Sequence, residues 1–323
     1  MALINHSFGT PSLKFTEITV KGAKMEQKKE IYWHLPGLCA HRYLNIVLLN
    51  LMKQYPEKFR EGYKIASVYG TFPGAIWNGG RTVLGSISEE DRGKIIKAYN
   101  DLGVPVRFTW TNSLLEEKHV DDAYCNSIMK QACNGFNQVL VNRDCLEDYI
   151  RKNYPDYPII SSTTKRVTDL QGIKEELEKD YHLVVLDYDL NHEEEVLKEL
   201  EPYADKIEIL VNEICYPKCP MRSQHYRDES KAQLENDAKS HFQCPNKSTP
   251  RVFSECMKRP AFISNEQIGE YIERGYVNFK IVGRGLSIDF VLDSYMYFLV
   301  RDEERAFIEK QIKTILAPLF KRA

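Results

Sequence analysis

The sequence predicts an α/β protein built as a parallel (β/α)8 barrel of the TIM type, with an enlarged cysteine-bearing loop after strand seven. Three observations lead to this prediction. Eight apolar, β-rich runs recur along the chain, segments with helix signals separate most of them, and the seventh connection is much longer than the rest. The 323 residues are enough for one such barrel and a substantial core.

The eight runs are short and apolar, as is typical of strands buried on both faces of a parallel sheet. They lie at residues 30–35, 63–69, 104–110, 137–141, 157–162, 182–187, 206–211 and 277–282. Eight such strands within about 250 residues favour closure into a barrel. An open doubly wound sheet is the alternative, but Gly79–Gly80 and Gly283–Arg284–Gly285 lack the spacing of a dinucleotide-binding fingerprint.

Helix signals occupy the segments between the runs. Ser88 precedes three acidic residues and an amphipathic stretch that stops at Gly103, which predicts a capped helix. Asn191 is predicted to cap a helix over 192–200. Further helices are predicted at residues 144–153, 169–179, 266–275 and 302–319.

The composition excludes several classes of protein. Lys and Arg number 44 against 46 Asp and Glu, a formal net charge of -2, so no global polyanion-binding surface is implied. No run is long enough to span a membrane, and residues 1–29 hold no apolar stretch of the signal-peptide kind. We therefore expect a cytoplasmic protein whose eight cysteines are free thiols or metal ligands.

Three parts are expected along the chain. Residues 1–29 form an N-terminal extension, residues 30–285 form the barrel, and residues 286–323 form C-terminal helices that pack on the barrel. Within the barrel, residues 213–261 form a cysteine-rich, metal-binding insertion. Over sixty residues separate strand seven from strand eight, and loops at this end of a barrel build the active site.

Half of the cysteines fall within this insertion, at Cys215, Cys219, Cys244 and Cys256. Four thiolates can enclose an iron-sulfur cluster or a zinc ion, and ligand type alone does not separate the two. Zinc sites usually contain Cys-x2-Cys pairs, which are absent here, so the spacing favours a cluster. A zinc ion that only pins the loop is the alternative.

A radical S-adenosylmethionine enzyme would also begin with the x3 gap between Cys215 and Cys219. Its third cysteine would fall at position 222, which is Arg222 in this chain. Four protein thiolates would also leave no open iron for that cofactor. The sequence therefore argues against the radical class.

Two regions resemble the collagenase-like peptidase family, known as peptidase family U thirty-two. They are Asn212-Glu213-x-Cys215 with the following Cys-Pro, and residues 279–284, which are similar to a Lys-Ile-Glu-Gly-Arg signature. The resemblance implies a barrel with a 4Fe-4S cluster on the four cysteines of the insertion. It also implies RNA-base modification or oxygen-independent hydroxylation, despite the peptidase name. Val282 replaces the signature glutamate, and no accessory domain follows the barrel, so a relative's substrate does not transfer.

Polar residues near the predicted strand ends are the candidate site. We assign Glu213, Arg222 and His225 as catalytic candidates, since they adjoin the cysteine pair and could bind an anionic group or move protons. Structural hydrogen bonding is an equal alternative for each. The substrate-binding candidates are Asn212, Lys280, Arg284, Asp187 and Asn142.

The predicted function is that of an iron-sulfur enzyme that modifies a small organic molecule or a nucleobase, served by an electron-transfer partner. No HExxH motif, nucleophile elbow or P-loop is present, so no peptidase machinery is visible. The alternative is a zinc-stapled barrel that acts as a binding module or a peptidase-like protein.

Overall fold

Eight parallel strands close into a barrel in a computed structural model that describes residues 29–237, 244 and 249–320. Each strand pairs with its neighbours in the chain, and β1 pairs with β8. The strands are β1 Ile31–Pro36, β2 Tyr63–Gly70, β3 Val106–Trp110, β4 Gln138–Val141, β5 Ile159–Ser161, β6 Leu183–Val185, β7 Ile207–Leu210 and β8 Asn278–Lys280. The predicted (β/α)8 barrel is thus confirmed, with all eight strands inside the predicted runs or within one residue of them.

Helices follow the strands and form the outer layer. They are α1 Arg42–Gln54, α2 Glu89–Asp101, α3 Ala123–Ala132, α4 Asp144–Asn153, α5 Leu170–Glu178, α6 Glu194–Leu200, α7 Arg222–Glu235, α8 Phe253–Cys256, α9 Asn265–Glu273, α10 Ile288–Leu299 and α11 Arg305–Phe320. The first six each follow the strand of the same number. The long connection after β7 holds α7, α8 and α9.

The predicted helix starts are confirmed where a side chain caps the first turn. Ser88 accepts a hydrogen bond from the Asp91 N–H at 3.0 Å and begins α2. The predicted cap at Asn191 is wrong. Its side-chain amide donates to the Leu210 carbonyl at 2.7 Å, so this side chain binds the end of β7. Helix α6 begins at Glu194 without a side-chain cap.

The barrel interior combines an apolar cluster with one charged layer. Leu140, Ile160 and Leu183 are buried in the cluster, whereas Glu208 and Arg107 are fully buried charges among the strands. Such charges are tolerated in a core only when they are paired, because burial removes their hydration. These two form a direct ion pair.

The parts flanking the barrel are described only partly. Residues 1–28 of the predicted extension, residues 238–243 and 245–248 of the insertion, and residues 321–323 lie outside the described residues. Helix α11 packs against α1 and α10, and Val300 pairs with Phe59 in an antiparallel bridge. None of the helices within the described ranges combines the length and the apolarity that crossing a bilayer requires.

Candidate functional site

A cavity opens at the carboxyl ends of the strands, which is the catalytic end of this fold. Strands and loops from around most of the barrel contribute to it. Its polar lining consists of Tyr69, Arg81, Thr109, Thr111, Ser162, Thr163, Thr164, Glu213, Arg222, Tyr226, Lys280 and Arg284, and its apolar lining of Leu140, Leu210 and Val282. We call this space the mouth cavity.

Four cations and one carboxylate line the mouth cavity. One cation, Arg284, donates from Nη1 to Thr109 Oγ1 at 2.9 Å and to Asn78 Oδ1 at 3.1 Å. Burial lowers the pKa of Arg284 to about 10, and the nearby Arg81 adds to the shift. The cavity is therefore a positively charged environment.

Lys280 joins the mouth cavity to the charged layer beneath it. Its Nζ donates to Glu208 Oε1 at 2.8 Å, and Glu208 also contacts Arg107 and His34. Burial lowers the pKa of Lys280 to about 8, although the Glu208 carboxylate opposes the shift. Burial alone would raise the pKa of Glu208, but the Arg107 and Lys280 cations and the adjacent His34 hold it well below its usual range.

Glu213 and Arg222 form a buried ion pair at the wall of the cavity. Arg222 Nη2 donates to Glu213 Oε2 at 3.1 Å, and both side chains are 3 % exposed. The Arg222 guanidinium also lies against the rings of Tyr188 and Tyr226, 4.7 and 4.6 Å from their centroids. Glu213 Oε1 accepts from the Cys215 N–H at 3.0 Å, so the pair is bonded to the start of the cysteine loop.

A second cavity adjoins the mouth cavity and is lined by three of the four candidate ligands. These are Cys215, Cys244 and Cys256, and we call the space the cysteine cavity. Cys219 lies near it, because the thiols of Cys215 and Cys219 are close enough to interact. Arg81 and Arg222 line both cavities and so form the wall between them.

The thiols are not drawn around one point. Cys256 donates to the Asn212 carbonyl at 3.2 Å, and burial raises its pKa to about 12. Within the described ranges, no three His, Cys, Asp or Glu side chains are placed to hold one metal ion.

The donor set can be compared with what each candidate metal centre needs. A tetrahedral zinc ion requires its sulfur ligands roughly 3.8 Å apart, since each Zn–S bond is about 2.3 Å. A cubane cluster takes one thiolate at each of four irons, so its sulfurs surround a larger volume. In the described part of the chain, three of the thiols border one cavity and are not placed to hold a single metal ion.

The remaining predicted site residues are divided between the two cavities and contacts with neighbouring side chains or backbone. Lys280 and Arg284 line the mouth cavity, and His225 lines the cysteine cavity, with its Nε2 3.3 Å from Glu229. Asn212 bonds both backbone groups of Val282, which connects β7 to β8. Asp187 pairs with Arg166 at 2.6 Å, and Asn142 donates to Thr164 Oγ1 at 2.9 Å.

Several lining residues were not predicted from the sequence, namely Arg81, Thr109, Thr111 and Tyr226. A signal for Arg81 was present in the two glycines before it. A Cβ on Gly79 would lie 2.1 Å from the Thr111 carbonyl oxygen, and Gly80 has a φ of +73°. The dipeptide lets the loop after β2 pass close to β3 and turn Arg81 into the mouth. The threonines carried no comparable signal.

Comparison with known proteins gives two similarities. The chain is 27% identical over 253 residues to the uncharacterized protease MJ1657 of Methanocaldococcus jannaschii, covering 75% of this chain and 74% of that protein. Its fold is similar to that of the U32 peptidase Mk0906, with a TM-score of 0.53 and 12% identity over 86% of this chain and 98% of the other. No protein-family profile matches the sequence. The two similarities support the U32 peptidase resemblance, and the second shows the shared fold.

Proposed function

We propose that this protein is an iron-sulfur enzyme whose 4Fe-4S cluster is held by Cys215, Cys219, Cys244 and Cys256. Its substrate, a small organic molecule or a nucleobase, occupies the mouth cavity and undergoes a redox reaction such as oxygen-independent hydroxylation. A separate protein serves as electron donor. The cytoplasm suits this chemistry, because all eight cysteines are free and a reducing compartment keeps thiols available as ligands.

The shared wall of the two cavities carries this proposal. Arg81 and Arg222 border the cysteines on one side and the mouth cavity on the other. A substrate in the mouth cavity would therefore lie one side chain away from the cluster. Positive charge in that wall also favours a cluster with anionic thiolate ligands.

The residues of the wall would have distinct roles. When bound, the cluster supplies or accepts electrons. Arg222, held by Glu213 and two tyrosine rings, orients the substrate. Lys280 and Arg284 hold the far side of the substrate. His225, placed at the cysteine cavity and paired with Glu229, is the candidate to move a proton there.

Anaerobic purification followed by iron and sulfide quantitation and electron paramagnetic resonance tests the proposal. About four irons and four sulfides per chain are expected. Cys219→Ala should lose iron. Cys133→Ala should keep it, because Cys133 is an exposed cysteine at the end of α3, outside the insertion. One zinc per chain with no iron or sulfide would overturn the proposal.

Peptide hydrolysis is a second candidate, favoured by the names of the two similar proteins. His225, Cys215 and Cys244 line one cavity, and a cysteine with a histidine is the pair that a cysteine peptidase uses. A fluorogenic peptide library separates the candidates. Cleavage by iron-free protein that is lost in Cys215→Ala or Cys244→Ala would favour hydrolysis.

A further inference from the structure

We propose that the mouth cavity binds the carboxylate of a small organic acid. This inference deepens the proposed function, on which it rests, by selecting an organic acid over a nucleobase as the substrate class. It is drawn from unpartnered polar atoms, from the balance of charge and from the apolar part of the wall.

Three buried polar atoms in the wall of the cavity have no hydrogen-bond partner among the described residues. They are Arg222 Nε, Thr111 Oγ1 and Thr163 Oγ1. Arg222 is 3 % exposed and Thr111 is 2 % exposed. A buried donor without a partner costs about 1–3 kcal/mol, so such atoms are expected where a ligand supplies the missing bonds.

The charge of the wall indicates an anion. Of the four cations, Lys280 is paired with Glu208 and Arg222 with Glu213. Arg81 and Arg284 form no ion pair with any described residue and face the same cavity. A bound anion would stabilise the charged forms of Lys280 and Arg284 and so raise their lowered pKa values.

The form of the anion follows from the rest of the lining. A carboxylate offers about four lone-pair sites, which match one guanidinium N–H, two hydroxyls and one further arginine. Leu140, Leu210 and Val282 line the same cavity. An apolar carbon skeleton attached to the carboxylate would contact these side chains, whereas a free phosphate would leave them exposed to water.

Calorimetric titration of the anaerobically purified protein tests the inference, with benzoate, its neutral analogue benzamide and inorganic phosphate as probes. Benzoate should bind at least tenfold more tightly than benzamide and more tightly than phosphate. Equal affinity for benzoate and benzamide, tighter binding of phosphate, or no benzoate binding at tens of millimolar would each overturn it.

Two variants locate the binding. Arg81→Gln should weaken benzoate binding about tenfold, since Arg81 is half-buried and its loss leaves no buried carboxylate unpaired. Arg227→Gln is the matched control, because it is exposed on α7, the helix that carries Arg222. Unchanged binding in Arg81→Gln would contradict the assignment.

Thr111→Val separates ligand binding from a structural role. The hydroxyl has no hydrogen-bond partner among the described residues, so its replacement by a methyl group should leave the melting temperature unchanged or raise it, while benzoate binding weakens several-fold. A lowered melting temperature with unchanged affinity would show a structural role.

Benzoate binding to protein that contains no iron would support this inference and contradict the cluster proposal. Iron-loaded protein that does not bind benzoate would support the cluster proposal and contradict this inference.

Discussion

At the scale of single residues, the identity of one side chain, Arg222, distinguishes this site from that of a radical enzyme. Arg222 stands where a radical enzyme would need its third cysteine. The structure uses it instead as a buried cation that pairs with Glu213 and is packed against two tyrosines. An arginine suits this position because its planar guanidinium stacks on rings while it donates in its own plane. Its Nε has no hydrogen-bond partner among the described residues.

Lys280 should make anion binding depend on pH. Its pKa is about 8, so raising the pH through that value removes a positive charge from the mouth cavity. The groups that face it are Glu208, Arg107, His34, Tyr69 and Arg284. Benzoate affinity, measured calorimetrically, should fall several-fold between pH 7 and pH 9.5.

The lysine variant supplies the control for this effect. Lys280→Met should bind benzoate more weakly at pH 7 and show little further change with pH, whereas Lys231→Met, exposed on α7, should behave as wild type. Circular dichroism at each pH checks that the fold persists. A flat wild-type profile would show that Lys280 does not act on the ligand.

At the scale of elements, the insertion after β7 is attached to the barrel through α7. Glu229 accepts from the Thr82 N–H at 2.6 Å and from its hydroxyl at 2.7 Å. Gln233 bonds Asn78 and the backbone of Val83, while Ser230 receives the Ser113 N–H. The loops after β2 and β3 therefore hold the helix that carries Arg222 and His225.

Glu229→Gln should loosen α7 without unfolding the barrel. Hydrogen bonds to a charged group contribute about 1.5–3 kcal/mol, so amide hydrogen exchange in α7 should accelerate at least about tenfold. Glu235→Gln, exposed on the last turn of the same helix, is the control. Exchange rates equal to wild type would show that Glu229 does not anchor the helix.

The same carboxylate predicts acid sensitivity. Burial opposes the shift, but hydrogen bonds from His225 and Thr82 lower the pKa of Glu229 from its ordinary 4.5 to about 2. A depressed pKa contributes stability in full above the unfolded value and loses it as the pH falls. Protection of α7 should thus decrease from about pH 4.5 toward pH 2, and this component should be absent in Glu229→Gln.

At the scale of the whole molecule, the closed barrel encloses one charged layer. Glu208 on β7 reaches across the interior to Arg107 on β3 and to its neighbour Lys280 on β8, and His34 on β1 lies 3.3 Å away. These charges come from strands on different sides of the barrel. The layer therefore links the stability of the barrel to the floor of the mouth cavity.

Glu208→Gln should destabilise the whole barrel. It leaves two buried cations without their carboxylate, which costs about 3–5 kcal/mol. The free energy of unfolding in guanidinium chloride measures the loss. Glu195→Gln, exposed on α6, should stay within about 0.5 kcal/mol of wild type. A comparably small effect of Glu208→Gln would mean that the layer is energetically neutral.

The local pattern of residues alone determined the barrel, the eight strands and the starts of α2, α4, α5 and α9. It also set the four cysteines of the insertion apart from the other four. Hydrophobic periodicity and helix capping depend on residues close together in the chain, so they can be recognised from the sequence. Closure of the barrel decided the rest. In the closed barrel, the Asn191 side chain donates to the Leu210 carbonyl instead of capping α6. Arg81 and Arg222 lie between the two cavities, and Thr111 lines the mouth cavity. Those outcomes depend on which distant side chains meet at one end of the barrel, and no local pattern records that.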